Sequence, residues 1–173
     1  MVVERRRLGV GVLDDCIYAV GGGDDKNSLN SVEVFDVSNQ KWRLVASMST
    51  GRWDFGVGVL NNLLYVVGGG SNGKCLRSVE YYDPTLDTWT PVADIPSDGV
   101  WSSVADMEIC RFRPGVVALD GLLYVMGGES DEHINDTVEI YNPKTNTWTM
   151  ERLSRNGVQI YGGVVVDRPH HYH

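Results

Sequence analysis

The chain repeats itself, and that repeat limits the fold more than any other feature. A glycine pair, Gly21-Gly22, returns 47 residues later as Gly68-Gly69 and a further 59 residues later as Gly127-Gly128. Tyr18, Tyr65 and Tyr124 stand three residues before each pair. Downstream lies a short apolar stretch with an acid inside it: Ser31-Val-Glu-Val-Phe-Asp36, Ser78-Val-Glu-Tyr-Tyr-Asp83 and Thr137-Val-Glu-Ile-Tyr-Asn142, which carry Glu33, Glu80 and Glu139. Each copy then passes through a turn to a tryptophan: Trp42, Trp89 or Trp148. All these landmarks shift by the same two offsets. A period in this range belongs to arrays whose units bury their apolar faces against one another.

Within a copy the periodicity is that of strands. Gly9-Val-Gly-Val-Leu13 alternates small and branched residues, and Asp14-Asp15 turns the chain into Cys16-Ile-Tyr-Ala-Val20. Asn61-Asn62 and Asp120-Gly121 hold the same turn in the other copies, and Asp-Gly is a strong signal for a two-residue hairpin. The acidic stretch and the tryptophan segment supply two more strands, with no convincing helix. Four antiparallel strands in a unit of this length describe a β-propeller blade.

Tyr-x-x-Gly-Gly, then Val-Glu-x-[Phe/Tyr]-[Asp/Asn], then a tryptophan six residues on, resembles the kelch repeat. Residues 5–13 are similar more particularly to the propellers of kelch-like (BTB–BACK–kelch) proteins. The resemblance covers nearly the whole chain. It implies an all-β kelch β-propeller, here three four-stranded blades plus one extra C-terminal strand, an incomplete ring. Glycine pairs suit places too crowded for a Cβ. Tyrosines and tryptophans offer large apolar faces for packing blade on blade. The three glutamates either lie buried, accepting backbone N–H bonds, or face solvent on an outer strand.

The expected repeats run over 5–48, 49–95 and 108–150, with the first strand of a partial repeat in 153–168 and a tail at 169–173. A closed propeller needs at least four blades, so the chain reads as the C-terminal half of a longer one. The offset of 59 exceeds 47 by 12, and Trp89-Thr-Pro-Val-Ala-Asp-Ile95 is echoed by Trp101-Ser-Ser-Val-Ala-Asp-Met107. Residues 96–107 are therefore an insertion or the remnant of a lost repeat.

Little here suggests chemistry. Residues 68–74 superficially fit a phosphate-binding loop, but Cys75 stands where Ser or Thr should hold magnesium, and a strand follows where a helix should begin. Of four histidines only His133 lies within the repeats; His170, His171 and His173 crowd the tail. The acidic pairs Asp24-Asp25 and Asp131-Glu132 lack the spaced oxygen ligands of a calcium loop. No enzymatic activity, cofactor or metal is expected. Asn135-Asp-Thr137 fits a glycosylation sequon. Cys16, Cys75 and Cys110 are odd in number and far apart, and read as reduced thiols of a cytoplasmic chain. No apolar run is long enough to span a membrane, and residues 1–7 lack the apolar core of a signal peptide. A net charge of −8 argues against general affinity for nucleic acid or anionic lipid.

Binding to protein remains. Arg5, Arg52 and Arg111 occupy one equivalent position, four residues before each first-strand glycine, with Val158 at the matching place further on. By the kelch-like resemblance this region reads substrate peptides, acidic ones in several relatives, and arginines suit bidentate carboxylate recognition. The alternative is that they brace neighbouring loops. Trp53 and Phe112, beside two of these arginines, are candidate aromatic anchors. A second loop set, including Asn72 and Ser130, differs among copies, as partner specificity would require. The resemblance implies the substrate-recognition part of a cullin–RING ubiquitin ligase adaptor. The BTB and BACK regions that engage cullin are not among these residues, so the chain alone is expected to bind substrate only. The alternative is an actin-binding scaffold associated with the cytoskeleton, to which an acidic chain offers little attraction.

Overall fold

The computed structural model describes residues 1–23, 27–91, 105–130 and 133–152. All its regular elements are strands, fourteen among the described residues. The first sheet contains β1 (Gly9–Leu13), β2 (Cys16–Val20), β3 (Val32–Asp36) and β4 (Lys41–Val45), paired in that order. In the second, β5 (Gly56–Leu60), β6 (Leu63–Val67), β9 (Val79–Asp83) and β10 (Thr88–Pro91) pair in sequence. Between β6 and β9 a small separate hairpin forms from β7 (Gly70–Ser71) and β8 (Lys74–Cys75). The third sheet is β11 (Gly115–Leu119), β12 (Leu122–Met126), β13 (Thr137–Asn142) and β14 (Thr147–Arg152). Every pairing is antiparallel, so each repeat is one four-stranded blade.

Local chemistry explains the hairpins. Leu60 faces Leu63 and Leu119 faces Leu122 across two-residue turns. Both turn residues have positive φ (51° and 62° at Asn61-Asn62, 51° and 77° at Asp120-Gly121), the geometry that matches strand twist.

The apolar core lies between blades. One cluster joins Leu13, Val20 and Val34 of the first blade to Phe55, Leu64 and Tyr82 of the second. Another joins Tyr65, Val67 and Val79 of the second to Leu123, Val125 and Tyr141 of the third. β5 packs against both β1 and β11, and small residues permit it. A Cβ on Gly9 would come within 2.4 Å of Val57, and one on Gly56 within 2.3 Å of Val116. The tyrosines bridge the junctions, Tyr18 to Tyr82 at 5.6 Å and Tyr65 to Tyr141 at 6.1 Å between centroids. Tyr124 is only partly buried, and Trp42 packs on Phe35 within its own blade.

Most of 96–107, all of the partial repeat 153–168 and the tail 169–173 lie outside the described residues. So do Asp24-Asp25, Asp131-Glu132 and the three tail histidines.

Candidate partner-binding site

The segment that enters each first strand builds one edge of the blades. Its first landmark is the repeating arginine, and its position corrects the expectation that Arg5, Arg52 and Arg111 meet a partner. Their guanidinium groups are buried, and every N–H donor is engaged inside the blade. Arg52 donates to the Gly68 carbonyl at 3.0 Å, the Ser78 carbonyl at 2.8 Å and Ser78 Oγ at 2.9 Å. Its Nε and Nη2 both reach Glu80 Oε1, at 3.3 and 2.9 Å. Arg5 makes the same set with Gly21, Ser31 and Glu33, and Arg111 with Gly127, Thr137 and Glu139. An arginine has five donors, and all five are used. The alternative role, bracing, is the one the geometry describes.

The glutamates complete the unit. Glu80 also accepts the Ser49 and Thr50 N–H groups, at 2.7 and 3.3 Å, and Glu139 those of Glu108 and Ile109, at 2.6 and 3.2 Å. Glu33 accepts Val2 and Val3 at 2.6 and 3.0 Å. Burial opposes the charge on Glu33, but those two N–H groups and Arg5 outweigh it and hold its carboxyl below the usual range. Burial pushes the pKa of Arg52 and Arg111 below its ordinary value, while Glu80 and Glu139 act the other way. Arg52 also ties blade to blade through its backbone. Its N–H donates to Leu29 at 3.1 Å, and its carbonyl accepts from Gly22 at 2.7 Å. The glycine pairs are required here: Gly22 has φ 89°, and its Cβ would lie 2.7 Å from the Arg6 carbonyl.

What the edge presents is the residues after the arginines. Trp53 exchanges backbone hydrogen bonds with Gly70, and Phe112 with Glu129, which fixes both side chains at the loop edge. The two rings stack at 5.2 Å and 18°, each only partly buried, and the Arg7 guanidinium lies 5.3 Å from the Trp53 ring centre. The next position forms a ladder. Asp54 N–H donates to the Arg7 carbonyl and Arg113 N–H to that of Asp54, at 3.1 and 2.6 Å. Asp54 Oδ2 is 3.9 Å from Arg7 Nη1 and 3.0 Å from Arg113 Nε. All three residues have positive φ, 55°, 51° and 52°, a conformation uncommon outside glycine. Sequence reasoning missed Arg7, Asp54 and Arg113, although they recur at the same two offsets as every other landmark.

Asn72 is exposed at the tip of the β7–β8 hairpin, its N–H 3.4 Å from Ser28 Oγ. Ser130 is occupied within its own loop, exchanging hydrogen bonds with the His133 backbone. Residues 68–74 form a hairpin, not a phosphate cradle leading into a helix. Among the described residues, no three His, Cys, Asp or Glu side chains gather as a metal site. In the sequon, Asn135 is 8% exposed and Thr137 accepts from Arg111, so the folded chain does not offer it to a glycosyltransferase. The cysteines require a correction: Cys75 and Cys110 are joined as a disulfide with Cα atoms 5.5 Å apart, and Cys16 alone is free. Blade stacking brings the two together across 35 residues of sequence. No helix among the described residues is long and apolar enough to cross a membrane.

Comparison with known proteins agrees with this architecture. The kelch motif matches residues 4–49, 52–96 and 110–152. Human Kelch-like protein 15 is 28% identical over 178 aligned positions, which take in 97% of this chain and 30% of that protein. Human Kelch-like protein 33 is 42% identical over 53 positions, 31% of this chain and 10% of the relative. An Arabidopsis thaliana F-box/kelch-repeat protein is 36% identical over 67 positions, 34% of this chain and 18% of the relative. The chain thus spans at most about a third of the length of these relatives. Three successive kelch-motif matches, each on one four-stranded blade, place the chain in the kelch-repeat family.

Proposed function

We propose that the chain is the substrate-capturing part of a ubiquitin-ligase adaptor of the kelch-like type, and that it takes its partner on the Trp53–Phe112 edge. The chain is a protein-interaction module by family, and alignment of 97% of the chain with 30% of a kelch-like relative supports the adaptor type. The observation that carries the site is the stacked pair with Arg7 over it. The other paired aromatics pack within blades or at their junctions, whereas these two rings sit at the edge. Tryptophan, an aromatic neighbour and arginine are the side chains that dominate protein interfaces. Arg7 and Arg113 flank the Asp54 carboxylate, and Glu129 lies 3.8 Å from Arg113, so the charges at this edge balance and the aromatic pair rather than net charge carries the surface. Asn72, at the hairpin tip, and Ser130 belong to the variable rim of this surface. Engagement of cullin would fall to BTB and BACK regions outside these residues, and the site of action to the cytoplasm.

The test is capture by the purified chain from a cell extract, compared with Trp53→Ala and Arg7→Ala/Arg113→Ala. Loss of the same partner in both variants, with thermal stability retained, supports the reading. Capture unaffected by Trp53→Ala would overturn it. Recovery of actin by the native chain, confirmed by co-sedimentation, would favour the scaffold instead.

A further inference from the structure

A covalent bond crosses the second blade junction and has no counterpart at the first. Cys75 closes the β7–β8 hairpin, Cys110 stands directly before Arg111, and the two are bonded. The equivalent residues at the first junction are Ser28 and Gly51. They approach just as closely, since a Cβ on Gly51 would lie 2.5 Å from the Ser28 carbonyl oxygen. The surrounding backbone bonds also match. Arg52 donates to Leu29 and accepts from Gly22 at the first junction; Arg111 donates to Leu76 and accepts from Gly69 at the second. The first junction therefore assembles without sulfur. The second has the same bonds and a tether besides.

The tether is placed to act on the partner edge. Gly70 lies opposite Cys75 in the hairpin, and a Cβ on Gly70 would come within 2.6 Å of both the Phe112 and the Trp53 rings. Cys110 is two residues from Phe112. Hairpin, aromatic pair and entry segment thus form a short circuit that the disulfide closes. We propose that Cys75 and Cys110 are a reversible thiol–disulfide site that exchanges with a low-molecular-weight disulfide such as glutathione disulfide. Its closed state holds the Trp53–Phe112 edge, and its open state loosens it. The coupling to partner capture rests on the function proposed above; the thiol site rests on the comparison of the two junctions.

The chemistry balances without further reactants. One cysteine thiolate attacks glutathione disulfide, forming a mixed disulfide and releasing one glutathione; the second cysteine displaces the other. The two protons from the cysteine thiols go to the two departing glutathione thiolates, and two electrons pass from the protein to the small disulfide. Both cysteines are partly exposed, as exchange requires. Cys16 stands outside the Cys75–Cys110 bond and remains a free thiol, so it serves as the internal control.

The test is to equilibrate the chain in glutathione buffers of graded ratio, trap free thiols by alkylation and locate them by mass spectrometry, with amide exchange measured in parallel. Cys75 and Cys110 should become protected together as glutathione disulfide rises, while Cys16 stays alkylated. Reduction should speed exchange at Leu76, Arg111 and Phe112 by about tenfold or more and leave β1–β4 unchanged. Cys75→Ser and Cys110→Gly install the residues of the first junction; both should fold, exchange like the reduced form and ignore the glutathione ratio. The proposal fails if the two thiols titrate separately, if oxidation leaves exchange unaltered, or if reduction or either variant unfolds the chain, which would make the bond a plain structural staple. If amide exchange follows the glutathione ratio but Trp53→Ala captures partner normally, the thiol site stands and the partner edge does not. If Trp53→Ala abolishes capture and neither exchange nor capture follows the ratio, the reverse holds.

Discussion

A guanidinium with no exposed surface is expensive to bury, and Arg52 shows what offsets the cost. Pairing with Glu80 alone would leave the balance near zero, because buried ion pairs are often matched by well-packed apolar residues. Arg52 additionally supplies the hydrogen bonds of the Gly68 and Ser78 carbonyls. Arg52→Met should therefore cost about 3–5 kcal/mol in urea unfolding, since it strands the Glu80 carboxylate. The double variant Arg52→Met/Glu80→Met should remain about 2 kcal/mol or more below the native chain, because the Gly68 carbonyl and the Ser49 and Thr50 N–H groups lose these partners. Recovery of native stability in the double variant would mean the pair is merely tolerated. Acid should act on the same kind of group. The depressed carboxyl of Glu33 contributes stability that is complete above its unfolded-chain value. That contribution is lost as pH falls through the lower folded value. A melting temperature that is flat near neutrality and drops below about pH 4 is the expected profile.

At the level of elements, the outer edge of each junction is held by a turn and a tryptophan. Asp87, in the turn between β9 and β10, accepts the Tyr82 hydroxyl at 2.8 Å and the Ala46 N–H of the preceding blade at 3.0 Å. Trp89 Nε1 donates to the Ala46 carbonyl at 2.9 Å. In the third blade Asn146 does the work of Asp87, bonding Tyr141 and Ala105, and Trp148 donates to Ala105. A neutral amide therefore suffices. The Ala46 N–H and the Tyr82 hydroxyl keep the Asp87 carboxyl below its ordinary value, so its contribution is present above that value and lost in acid. Asp87→Asn should change neutral stability by less than about 1 kcal/mol and make the acid decline shallower, measured by melting across pH 2–6. Trp89→Phe, which strands the Ala46 carbonyl, should cost about 1–3 kcal/mol.

These elements also show what was legible in the sequence. The strands, hairpin turns and blade count follow from spacing, because short-range patterning dictates them. The role of the arginines did not, since an arginine near a loop reads alike whether it faces solvent or a buried acid. The usable signal was that Arg and Glu stay 28 residues apart in all three copies. The β7–β8 hairpin was hidden in a Gly-rich stretch that reads as loop, and the disulfide in a stacking of blades that no local pattern encodes.

Across the molecule, stability resides at junctions, because no single blade encloses a core. The same side chain thus has opposite value at different positions. Val57 on β5 fills the space above Gly9 and Gly11, whereas its counterpart Val10 on β1 is 58% exposed and Val12 62%. Val57→Lys should cost about 2–3 kcal/mol, as lost burial and a forced charge would dictate. Val10→Lys and Val12→Lys should leave the unfolding midpoint within about 0.5 kcal/mol of native. They should, however, change association, because β1 presents Val10 and Val12 as neighbouring, largely exposed apolar side chains. Sedimentation velocity over a concentration series should show the native chain associating and the double variant Val10→Lys/Val12→Lys remaining smaller at equal concentration. If the two chains sediment alike while the double variant keeps its stability, the β1 face is not the adhesive surface. The junction would then account for the stability of the blades but not for their solution behaviour.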